Sequence, residues 1–134
     1  MANTGRHDEA LKAAQEATNL FRVLEGQNPA AYTPDLAMSL NNLASSQAEN
    51  GQRHKALKTA QEATNLYRTL AEHNPAAHTP NLTSSLKTYA NILERSGSTK
   101  EAARIRQERD EILKRMKDME EGNADAPTRR RQLL

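Results

Sequence analysis

Ala14-Gln15-Glu16-Ala17-Thr18-Asn19-Leu20 returns letter for letter as Ala60-Gln61-Glu62-Ala63-Thr64-Asn65-Leu66, 46 residues further along the chain. The echo continues outward at the same spacing. Asn28-Pro29-Ala30-Ala31 returns as Asn74-Pro75-Ala76-Ala77, Thr33-Pro34 as Thr79-Pro80, and Gly5, Gly51 and Gly97 mark the same interval. A fixed period of this size belongs to a repeat array, in which one supersecondary unit cannot bury its own apolar face and stacks on the next.

Inside each period the apolar spacing is helical and no stretch alternates as a strand does. From Asp8 to about Glu25, Ala10, Leu11, Ala14, Ala17, Leu20, Phe21 and Leu24 follow a three-four rhythm. Asn28-Pro29 breaks that helix, because the residue before a proline is pushed out of the helical region. Thr33-Pro34-Asp35 predicts a fresh start, with Thr33 as cap, Pro34 at the first position and Asp35 at the positive end of the dipole. The glycines read as helix stops, and Ser98-Thr99-Lys100-Glu101 reads as a capping box. The predicted helices span 8–26, 34–50, 53–73, 80–96 and 98–120. The fifth keeps one stripe, Ala102, Ile105, Ile112, Met116 and Met119, under a charged coat, as expected at the end of a stack. The organisation predicted is a helical repeat domain over 1–121 and a disordered basic tail over 122–134.

Composition narrows the classes. Of 134 residues, 36% are hydrophobic and 27% charged, but only 3% are aromatic, so the core must be built from Leu and Ala. With no Cys there is neither a disulfide framework nor a thiolate metal site. Neither a basic-then-apolar leader nor a run of about 20 apolar residues is present, so the expectation is a cytoplasmic protein without a membrane anchor. The net charge of +2 resides in the tail, where Arg129, Arg130 and Arg131 face Asp125 alone. Three phosphate contacts would give a log-log salt slope of only about 2.7, and no aromatics are interleaved for base stacking. Nucleic acid is therefore disfavoured as a partner.

Ser39-Leu40-Asn41-Asn42-Leu43-Ala44, then Gly51, Lys55-Ala56-Leu57, Ala60 and Ala63, resembles a tetratricopeptide repeat. Leu40, Leu43 and Ala44 fit the opening of that family's first helix, Ala56 and Ala63 the small positions of its second, and Pro75 its closing proline. Leu86, Tyr89, Ala90 and Ala102 fall in the next copy, while Ala10 and Ala17 fall in a leading copy that lacks its first helix. The Leu-Asn-Asn-Leu-Ala run and long second helix are most similar to the repeats of kinesin light chains and of bacterial and fungal signalling proteins. The resemblance implies an all-α fold of five helices, half a repeat followed by two full ones in a right-handed solenoid. It also implies a groove lined by the first helix of each pair, and a role as a non-enzymatic module that binds a protein or peptide.

If Leu36, Leu40 and Leu43 face the core, helical geometry turns Met38, Asn41, Asn42, Ser45 and Glu49 outward. Ser84, Lys87, Thr88, Asn91 and Arg95 follow on the next repeat. Adjacent asparagines cost helix propensity and are not needed for packing. They read either as letters on a wet surface or as amides that hold an extended peptide. The carboxylate clamp of chaperone-binding relatives is not met, since Asn41 and Thr88 stand where Lys and Asn are wanted.

Catalysis finds little support. His7, His54, His73 and His78 form no helical ligand pair, no glycine-rich phosphate loop occurs, and the carboxylates sit beside Lys or Arg on charged faces. No cofactor or metal is expected. The leading expectation is a peptide-binding module. The alternative is a structural self-association unit, with a second copy covering the open edge of the first helix, or a piece of a longer array in a signalling protein.

Overall fold

The computed structural model describes residues 2–133, with side chains over 5–122. Among these residues every element is an α-helix: α1 (Ala2–Gln27), α2 (Pro29–Glu49), α3 (Arg53–His73), α4 (Pro75–Arg95) and α5 (Thr99–Leu133). Each helix packs on the next in sequence, as in a helical-hairpin array. The even helices α2 and α4 also meet, whereas the backbones of α1, α3 and α5 are kept apart by the helix between them. A layer whose members lie closer together is the inner wall of a curved stack, so α2 and α4 line the concave side.

The sequence period reappears as a period of contacts. Arg22 of α1 reaches over α2 to Glu62 of α3 with paired bonds of 2.8 Å. One repeat on, Arg68 reaches Glu108 of α5 at 3.0 and 2.7 Å. Two buried hydroxyl pairs hold neighbouring helices together, Thr18 with Ser39 at 3.1 Å and Thr64 with Ser85 at 3.0 Å. No spacing in the sequence marks these hydroxyls for the interior. In the fold they let two helices approach where larger side chains would hold them apart, and each hydroxyl satisfies the other.

The core is largely leucine and alanine, as composition requires. Leu40, Ala44, Ala56, Ala63, Leu86 and Ala102 are all completely buried. Tyr67 and Tyr89 are buried in it, and half-buried Phe21 packs against it. Burial raises the phenol pKa of both above the ordinary value, helped by Asp35 at Tyr67 and by Glu101 at Tyr89.

Four helix boundaries differ from expectation. Helices α2 and α4 begin five residues earlier, at Pro29 and Pro75, so Thr33 and Thr79 are not caps. Asn28 and Asn74 are the caps: each is extended, and its side chain accepts from the amide of Ala31 or Ala77 at 3.3 Å. The rule that pushes Asn out of the helical region before proline thus prepares the cap, and the proline takes the first position, where its missing N–H costs nothing. Pro34 and Pro80 then lie inside the helices. Each leaves one carbonyl, of Ala30 or Ala76, without a helical donor, but both alanines are exposed to water. Truncating the cap with Asn74→Ala should cost about 0.5–2 kcal/mol, read as a lower midpoint in urea unfolding. A midpoint shift near zero would return the start of α4 to Thr79.

Gly51 and Gly97 do end helices, at φ of 78° and 87°. Behind them Gln52 N–H closes onto the Gln47 carbonyl at 2.8 Å and Ser98 N–H onto Leu93 at 2.9 Å. These are the six-to-one bonds of a left-handed helix cap. Gly5, expected as a third stop, lies within α1 instead, so the 46-residue spacing there is one of sequence and not of structure. The proposed capping box is not formed either. Glu101 turns to the Tyr89 hydroxyl, which donates to it at 3.4 Å. Helix α5 runs past the expected 120, and the tail set apart from sequence falls, beyond Gly122, outside the residues whose side chains are described.

Candidate functional site: the concave wall

All ten residues assigned to the groove lie off the core on α2 and α4. Met38, Asn42, Glu49, Ser84, Lys87, Asn91 and Arg95 are exposed, and Asn41, Ser45 and Thr88 are half-buried. The reason is local: Leu36, Leu40 and Leu43 on α2, with Leu82, Leu86 and Tyr89 on α4, take the buried stripe. The remaining helical positions are left facing out.

Several of the ten are held by their own helix. Ser45 donates to the carbonyl of Asn41 at 3.3 Å, Ser84 to Pro80 at 3.3 Å, and Thr88 to Ser84 at 3.2 Å. Such back-bonding fixes hydroxyl rotors and leaves their lone pairs facing outward as acceptors. Asn41 differs, because its Oδ1 is buried and meets no hydrogen-bond partner. An unmet buried acceptor costs about 1–3 kcal/mol. At the far end of the wall, Arg106 of α5 donates to Asn91 at 3.4 Å and pairs with Glu94. The guanidinium holds the Glu94 carboxyl below its ordinary pKa. Met38 is the large apolar side chain of the strip, 50% exposed.

A second concavity escaped sequence reasoning. A cleft of about 730 Å³ opens between the end of α3, the start of α4 and the middle of α5. Ala71, Pro75, Leu82, Ile112, Met116 and Met119 are among its walls, and the Arg68–Glu108 pair stands at its rim. Donating to the Glu108 carboxylate pushes the already high Arg68 pKa further up. The cleft exists because α4 begins at Pro75, beside a helix α5 that continues past the point where α3 stops. With 75–79 read as a linker, it had no wall. It contains none of the ten groove residues.

The histidines stay apart from any site: His73 sits exposed at the end of α3 with Nδ1 at 2.8 Å from the Thr69 carbonyl. Among the described residues, no three His, Asp or Glu side chains are placed to share a metal ion. No helix among them is long and apolar enough to cross a membrane. No family model matches this chain, and no curated protein or solved structure matches it. Fold and site together define an all-helical hairpin array with a polar inner wall.

Proposed function

We propose that this chain is a tetratricopeptide-like, non-enzymatic interaction module of the cytoplasm, which holds an extended segment of a partner protein along the wall formed by α2 and α4. The observation that carries this reading is the polar strip itself. Ten residues at equivalent positions of two repeats take no part in the apolar core. Side-chain amides and hydroxyls spaced along two adjoining helices suit the alternating N–H and C=O groups of an extended backbone. Met38 offers the one large apolar contact. The tetratricopeptide character is supported by the burial of the positions that carry the resemblance, Leu40, Leu43, Ala44, Ala56, Leu86 and Ala102 among them.

The test is a peptide selected on the intact protein from a displayed library and then titrated against variants. Asn42→Ala should weaken binding by about fivefold, the equivalent of roughly 1 kcal/mol. Because Asn42 is exposed, stability should move by no more than about 0.5 kcal/mol. Selected peptides whose affinity ignores Asn42→Ala and Asn91→Ala would remove the wall from consideration.

A further inference from the structure

The two ends of the stack are unlike. At the positions equivalent to buried Ala60, Thr64, Tyr67 and Ala71 of α3, helix α5 carries Arg106, Asp110, Leu113 and Lys117, all exposed or half-buried. It offers no apolar seat to a further helix. Helix α1 does the opposite. On α3, Ala63 and Leu66 are the seat on which Leu36 and Leu40 of α2 rest. Their equivalents Ala17 and Leu20 belong to the block repeated letter for letter, yet no described residue covers them fully: Ala17 is half-buried and Leu20 is 58% exposed. Val23 beside them is 61% exposed.

We infer that this outer face of α1 is a docking site for an amphipathic helix with the leucine stripe of α2, supplied by a partner. The occupant follows from the internal duplication. The same residues in the same order already hold such a helix on α3, and on α1 they stand in the same helical register. Charge points the same way. Glu62 and Glu108, which receive arginines from the preceding outer helix, have their equivalent in Glu16. Glu16 lies exposed on α1 and makes no ion pair with a described residue. A partner whose leucine helix is followed or preceded by a basic residue in reach of Glu16 completes the pattern. This face lies on the outer layer, away from the concave strip, so the inference is independent of the peptide-binding reading.

The probe is a synthetic peptide of residues 29–50, held helical by a lactam bridge on the face that α2 turns to solvent, and fluorescently labelled. Titrated with the intact protein, it should bind saturably. Leu20→Lys should weaken it by about tenfold or more, since the leucine loses its burial. Met119→Lys, an equally exposed apolar site at the other end, should change nothing. Absence of saturable binding, indifference to Leu20→Lys, or an equal loss with Met119→Lys would overturn the proposal. Self-association that Leu20→Lys abolishes, without peptide uptake, would also overturn it by naming a second copy as the occupant.

Discussion

Leu86→Ala is expected to lower the unfolding free energy by about 2–5 kcal/mol, the usual range for a leucine removed from a closed core. Leu86 is wholly buried in the cluster shared by α2, α3, α4 and α5. Seven alanines belong to that cluster, among them Ala56, Ala60 and Ala90, and they have no side-chain length with which to refill a hole. A core of this composition collapses poorly around a cavity, which places the expected loss in the upper part of the range. Urea unfolding followed by far-ultraviolet circular dichroism measures it. The companion variant Leu113→Ala, at a site 36% exposed, should stay within about 1 kcal/mol of the parent. If the two variants fell together, Leu86 would not sit in a closed core.

Thr64→Val should cost about 1–3 kcal/mol, because it leaves the buried hydroxyl of Ser85 without its partner while keeping the side-chain shape. The asymmetry of hydrogen bonding makes the second half of the prediction sharper. Replacing both members, Thr64→Val with Ser85→Ala, removes the stranded group and should recover most of the loss. A double-mutant cycle therefore gives a non-zero coupling, with the double variant losing less than the sum of the two single losses. The same cycle on Thr18 and Ser39 should give a smaller coupling, since Thr18 also donates to the Ala14 carbonyl at 2.8 Å. Additive losses at 64 and 85 would mean that the hydroxyls act separately and that the clasp plays no part in holding α3 to α4.

What could be read from the chain alone was whatever depended on period and burial. The helix count follows from the 46-residue echo, and the buried positions Leu40, Leu43, Leu86 and Ala102 follow from three-four spacing. The outward placement of Met38, Asn42, Lys87 and Asn91 follows from the same geometry. Where two signals of similar strength competed, the reading failed. Asn-Pro and Thr-Pro each announce a helix start, and the tie was given to Thr33 although a proline a turn and a half inside a helix loses only one hydrogen bond. That single misplacement also hid the cleft beside Met116. The Thr–Ser clasps were illegible for another reason: hydroxyl residues on a helix are ordinarily wet, and only a partner 21 residues away makes them core. The asymmetry between α1 and α5 was legible in outline, since charge marked α5 as an end and the missing partner of the first helix marked its open edge; which side chains are left bare, Leu20 and Val23, depends on the packing.

In this chain a repeated sequence builds a repeated packing unit, with Thr18–Ser39 and Thr64–Ser85 as equivalent contacts. The chain has no natural cysteine, so paired substitutions can be read without interference. Thr18→Cys with Ser39→Cys and Thr64→Cys with Ser85→Cys replace oxygens about 3 Å apart, and with oxidised glutathione as electron acceptor both should close to internal disulfides, seen as a mass loss of two hydrogen atoms. The crossed pair, Thr18→Cys with Ser85→Cys, should remain reduced under the same conditions. Disulfide formation in only one of the two equivalent pairs, or in the crossed pair, would contradict the stacked array.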